Sequence, residues 1–315
     1  MQKLTRRQFL KLTGLAAASA ALFGAGCTVP ATGTKAGRRT PPDPTGDQAY
    51  LAVARGGDPA AITKAALAAL GGMERFVKSG DDVIIKPNIC VNYRTPEYAA
   101  TTNPTVVATL VSLCLEAGAR QVRVMDTPFP GIPAEAAYQV SEIGQAVEAA
   151  GGVMEVMSPV KFVTTPIPDG LDLAEWEVYQ DVLDTNVLIN VPIAKTHNLA
   201  RLSLGIKNLL GVITKPNQMH SSLGQRAADL ASLVRPTLTV VDAVRIMTSG
   251  GPTGGSLNYV QQADTVIASH DFVAADAYAA TLFDLTGADI AYVKAAADIG
   301  LGTLDLDGKV TEVSG

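Results

Sequence analysis

Short β-branched runs alternate with helix-like segments along most of this chain, and that alternation constrains the fold more than any other feature. The runs lie at 50–54, 82–86, 121–126, 153–157, 186–191, 237–242 and 265–269. Between them, segments 60–70, 104–117, 134–149, 202–213, 223–234 and 272–283 carry helical content. Strands that are apolar throughout and separated by helices predict an α/β fold, with a mainly parallel sheet covered by helices on both faces. Residues 159–180 break the rhythm with prolines, acids and the single tryptophan, Trp176, and read as a small excursion, a hairpin or a lid. Residues 305–313 predict a terminal hairpin turning at Asp307-Gly308.

Residues 1–27 predict an export signal. Thr5-Arg6-Arg7-Gln8-Phe9-Leu10-Lys11 has the twin-arginine pattern, an apolar segment follows over 12–26, and no acid precedes Asp43. A membrane span needs about 20 apolar residues, so that segment is too short to be one. A basic amphipathic helix is the other reading of the same residues. Cys27 closes Gly24-Ala25-Gly26-Cys27, which resembles a lipoprotein cleavage box with Gly24 where leucine is usual. Lipidation of Cys27 and cleavage at a nearby alanine both stay open. Residues 28–47, rich in Pro and Gly, predict a flexible linker, and 48–315 the α/β domain. The expected partners are the twin-arginine translocase during export and a membrane reached only through a lipid anchor. The expected location is periplasmic or otherwise extracytoplasmic.

The sequence holds 25 Lys and Arg against 30 Asp and Glu; removing Lys3, Arg6, Arg7 and Lys11 with the signal leaves 21 against 30, a balance of −9. Nucleic-acid binders favour a basic face, so none is expected as a partner. With Cys27 lipidated, only Cys90 and Cys114 remain, which excludes a four-cysteine iron–sulfur cluster from this chain alone. A Cys90–Cys114 disulfide is conceivable in an oxidising compartment, but Cys114 sits in an apolar helical pattern that favours a buried thiol.

Polar residues collect where strands end: Lys86 and Asn88, then Asp126, then Lys195-Thr196-His197, then Asp242. Ligands bind at the carboxyl edge of a doubly wound sheet, where these residues would converge. Each could instead solvate a loop or cap a helix. In 202–213, Leu202, Ile206, Leu209 and Ile213 form one helical stripe for burial, which leaves Lys207 free to meet a ligand. Gly205 and Gly211 weaken a helix there and suggest close approach by a backbone or ligand. The loop Ser249-Gly250-Gly251-Pro252-Thr253-Gly254-Gly255 could cradle an anion on backbone N–H groups, yet matches neither a P-loop nor a dinucleotide fingerprint. Asp271 reads as a helix N-cap.

These residues support an enzyme acting on a small anionic compound, a carboxylate or phosphate. Lys86, Asn88, Lys195, Thr196, Lys207, Asn208, Gly251 and Gly254 would bind it. His197 would be the acid/base, with Asp126 or Asp242 orienting it. A metal ion is a possible cofactor, on His197, His220 and an acid such as Asp126, Asp242 or Asp276, though no ligand spacing marks it. The alternative is a lipid-anchored binding protein with the same pocket and no chemistry.

The landmarks together resemble the family known as domain of unknown function 362. The resemblance rests on Ile85-Lys86-Pro87-Asn88 and Asn190-Val-Pro-Ile-Ala-Lys195-Thr196-His197. It continues through Leu204-Gly-Ile-Lys207-Asn208-Leu-Leu-Gly211, His220, Val241-Asp242, Gly251-Pro252-x-x-Gly255 and Ala274-Ala-Asp276-Ala. It implies a Rossmann-like α/β fold and no established reaction. Relatives often carry a ferredoxin-like module with clustered cysteines, and no such cluster occurs here. A fainter likeness, in strand, cation-rich turn and histidine, is to the N-terminal domain of lactate racemase-type proteins, and it brings no cofactor with it.

Overall fold

A computed structural model describes residues 44–46 and 48–315. Arg6, Arg7, Cys27 and the expected signal and most of the linker lie outside the described residues. The elements run β1 (Leu51–Arg55), α1 (Pro59–Ala69), β2 (Asp82–Pro87), α2 (Pro104–Glu116), β3 (Gln121–Val124), α3 (Ala134–Val140), α4 (Ile143–Ala149) and β4 (Val153–Met154). The excursion supplies β5 (Phe162–Pro166), β6 (Glu175–Tyr179) and α5 (Gln180–Asp184). Next come β7 (Val187–Val191), β8 (Ile193–His197), β9 (Arg201–Ser203), α6 (Gly205–Asn208) and α7 (Leu223–Val234). β10 (Leu238–Met247), β11 (Val260–Ser269), α8 (Phe272–Thr281), α9 (Ala291–Asp298) and β12 (Val310–Ser314) complete the series.

The main sheet has the order β12-β1-β11-β10-β7-β2-β3-β4. Along that order the pairs are parallel except where β11 lies antiparallel to β1 and β10; off it, β8 pairs parallel with β10 and antiparallel with β9. β2 and β7 run parallel in the middle, with Val83 opposite Val187 and Pro87 opposite Val191. Successive side chains leave a strand on opposite faces, and here both faces are dry. Ile84 and Leu188 enter one core, with α7, α8 and α9; Val83, Ile85, Val187 and Ile189 enter the other, with α1, α2 and α4. That double burial is why these strands read as unbroken apolar runs. Asp58, Asn103 and Asp271 cap α1, α2 and α8 by accepting their first backbone N–H groups.

Several expectations shift. The expected single helix over 134–149 is two, because Glu142 takes a left-handed φ of 60° and the Ser141 hydroxyl oxygen accepts from the Ile143 N–H. The segment 202–213 is not one helix: it opens in β9, makes one turn as α6, and ends in a 3-10 turn at Leu209–Val212. All four stripe residues are nevertheless buried. The excursion is a hairpin, β5 against β6, and Trp176 donates to the Thr214 carbonyl. No terminal hairpin forms; β12 pairs parallel with β1 at the sheet's edge. Cys90 and Cys114 are both buried free thiols. Among the described residues, no helix is long and apolar enough to cross a membrane.

Candidate functional site

Parallel strands deliver their carboxyl ends to one edge, and there a pocket of about 480 Å³ opens. The end of β2 brings Lys86 and Asn88, the turn after β3 brings Asp126, and β8 brings His197. α6 adds Lys207 and Asn208, and the following turns add Gly211 and His220.

The floor is a fully engaged polar network. Lys86 Nζ meets Asp126 Oδ1 at 2.6 Å, both side chains being about 1–2 % exposed. It also donates to Asn208 Oδ1 at 3.0 Å and the Pro87 carbonyl at 2.9 Å. Asp126 accepts further from the backbone N–H groups of Ile89 and Thr127. Burial pushes Asp126 up and Lys86 down from their ordinary values, each opposed by the charge of the other. Asn208 donates to Asn190 Oδ1 at 2.8 Å, and Asn190 in turn donates to the Gly205 carbonyl. This fixes the single turn that carries Lys207. Gly211 lies so close over the ion pair that a Cβ there would sit 2.6 Å from Lys86 Nζ and overlap Asp126 Oδ1. The close neighbour of that glycine is a side-chain pair.

Behind the floor, Lys195 Nζ donates to Asn88 Oδ1 at 2.8 Å and the Ala100 carbonyl at 2.6 Å, 3.5 Å from Cys90 Sγ. It braces Asn88 without lining the pocket. Lys207 differs from both other lysines. It is half-buried and lines the pocket, and among the described residues its amine has no acceptor or carboxylate in bonding range. Burial, and next the charge of Lys195, lower it to about 8.

His197 is buried, and its Nδ1 accepts the backbone N–H groups of Leu199 and Ala200 at 3.1 and 3.2 Å. Burial first, then Lys207, His220 and Lys195, push it down to about 3. The ring is therefore neutral at physiological pH and carries its proton on Nε2. It stacks on His220 with centroids 6.2 Å apart.

Other expected site residues lie elsewhere or are committed to other partners. Asp242 does not orient His197; it is buried in mid-strand, accepts from Asn103 N and Val244 N, and is raised by burial to about 6. Asp126 does not orient His197 either, since its hydrogen bonds go to Lys86, Ile89 and Thr127. Asp276 is not beside the histidines: its carboxylate accepts from Gly205 N and Ile206 N, capping α6 from α8, and burial raises it to about 7. Among the described residues, no three His, Cys, Asp or Glu side chains are grouped to hold a metal. Thr196 accepts from the Gly251 N–H and so ties down the glycine-rich loop, whose Pro252 alone reaches the pocket. Gly251 and Gly254 pack on the Thr196 backbone and on Met247.

Sequence reasoning missed the loop Thr127-Pro128-Phe129-Pro130 and Leu199, which form apolar parts of the wall. The available signal was the Pro-Phe-Pro-Gly run directly after a strand end. Cys90, whose sequence context points only to a disulfide, lines the pocket as well.

Residues 83–281 match the family described as "Domain of unknown function (DUF362)", and the chain belongs to that family. It is 26 % identical over 250 residues to the "Thylakoid-associated protein sll1697" of Synechocystis, covering 74 % of this chain and 72 % of that protein. Distant likenesses exist to two solved structures. One is the lactate racemase apoprotein of Thermoanaerobacterium thermosaccharolyticum, with a TM-score of 0.45 at 12 % identity over 71 % of this chain and 55 % of that one. The other is a Thermotoga maritima protein, with a TM-score of 0.44 at 14 % identity over 73 % and 60 %.

Proposed function

We propose that this protein is exported by the twin-arginine route, anchored by lipid at Cys27, and acts as an enzyme on a small carboxylate or phosphate held in the Lys207 pocket. One observation carries the reading: a half-buried lysine with no partner among the described residues lines a pocket whose floor places Lys86 and Asn208 beside it. Three lysines stand in or behind this pocket, and the carboxylate in its wall, Asp126, is already paired with Lys86. The surplus of positive charge suits an anion. Neutral His197 would donate from Nε2 to oxygen on the bound compound, and Lys207, with its value near neutrality, is the better acid/base.

Titration calorimetry with oxalate and with phosphate tests the pocket. A hydrogen bond to a charged group contributes about 1.5–3 kcal/mol, so Lys207→Met weakens binding roughly tenfold to a hundredfold. No heat with either anion, or equal affinity in the variant, overturns the reading. A binding protein without chemistry is the second reading, favoured because the His197 Nδ1 takes two backbone N–H groups and no carboxylate among the described residues orients the ring. For export, Arg6-Arg7→Lys-Lys traps the precursor in the cytoplasm and Cys27→Ser moves the protein from membranes to the soluble fraction. Unchanged fractionation in both removes the anchoring proposal.

A further inference from the structure

We propose that Lys207 is a covalent site, whose Nζ condenses with the aldehyde or ketone group of a ligand that also carries an anionic group. The inference rests on the anion pocket for the ligand's charge and on Lys207 itself for the bond. The amines of Lys86 and Lys195 are each spent on acceptors within 3.0 Å, while Lys207 has none among the described residues. A lysine desolvated beside other cations is the arrangement that frees an amine lone pair for Schiff-base chemistry. With its value near 8, about one amine in ten is unprotonated at pH 7.

The step balances without an oxidant or reductant. The Nζ lone pair forms the C–N bond and the carbonyl π pair moves to oxygen. That oxygen then leaves as water with both amine hydrogens, and an imine remains. His197 Nε2–H, which keeps its proton, would hydrogen-bond the departing oxygen, since its Nδ1 is already committed to two backbone N–H groups. Pro128, Phe129 and Leu210 give the pocket apolar wall, which limits the water able to reverse the bond. At about 480 Å³ the pocket is far larger than a two-carbon oxo acid needs and lies within the range of drug-sized ligands. The chemistry therefore points to a larger carbonyl compound with an anionic head.

Pyridoxal phosphate, which joins an aldehyde, a ring and a phosphate, serves as the probe. The mature protein is incubated with it, reduced with borohydride and mapped by peptide mass, with glyoxylate as a small oxo-acid control. The expected result is a reduced adduct on Lys207 in preference to exposed Lys64, suppressed by excess inorganic phosphate. An adduct on Lys207 that phosphate does not suppress keeps the covalent site and sinks the anion reading. Binding of pyridoxine phosphate, which lacks the aldehyde, with no Lys207 adduct from either carbonyl probe overturns the covalent site and leaves the anion pocket standing. Neither binding nor adduct overturns both. Lys207→Arg keeps the charge without the imine, so it should retain pyridoxine phosphate and lose the adduct.

Discussion

Lys86→Met separates the pocket's floor from its working lysine. In the protein, Lys86 is one half of an ion pair about 1–2 % exposed, and among the described residues Asp126 has two backbone N–H groups besides it. Removing one partner of a buried pair costs roughly 3–5 kcal/mol. A second route gives a similar figure. The stranded carboxyl avoids a buried charge by taking up a proton, and holding it neutral at pH 7 against an ordinary value near 3.9 costs about 4 kcal/mol. The sign in pH follows. In the variant the folded-state value of Asp126 lies above the unfolded one, so the deficit is absent below about pH 4 and grows by about 1.4 kcal/mol per unit as pH rises toward the folded value. Urea unfolding at pH 7 and pH 5 measures both. Replacing both partners, with Lys86→Met and Asp126→Leu together, should cost much less than the two single changes summed, because no charge is then stranded. A loss under about 1 kcal/mol with no pH dependence in Lys86→Met would refute the buried pair.

Two other outcomes follow from the same geometry. Gly211→Ala drives a methyl onto Lys86 Nζ and Asp126, so unfolding measurements should show a loss of about 1–3 kcal/mol, and a neutral effect would contradict the packing. Oxalate keeps its charge above neutrality, so its affinity should fall by up to about tenfold per unit once pH passes about 8, as Lys207 loses its proton. Lys86, Lys195, His197, His220, Asp126 and Cys90 surround that amine. Only Lys207→Met should abolish the step, and a step that survives in that variant assigns it to another group.

The sheet's centre is legible in sequence because β2 and β7 are buried on both faces, which forces unbroken apolar runs. Lys86, Asn88, Asp126 and His197 meet because parallel strands share a carboxyl edge. Asp242 obeys the same pattern and fails it: β10 runs on to Met247 against β11, so the acid sits in mid-strand, facing Asn103. Asp276 is likewise committed to Gly205, a partner 71 residues away that no local pattern reveals. The stripe from Leu202 to Ile213 predicts burial correctly and the element wrongly, since short apolar runs do not distinguish strand from helix. The tautomer of His197 is not legible in sequence, because two backbone N–H groups of its own turn decide it.

The most direct test of the anion pocket is a crystal soaked in selenate and measured at the selenium edge. The anomalous peak should lie about 4 Å from Lys207 Nζ, which puts a selenate oxygen at hydrogen-bonding distance from the amine, and vanish in Lys207→Met. Selenium bound only at surface cations, with the pocket empty, would contradict the account.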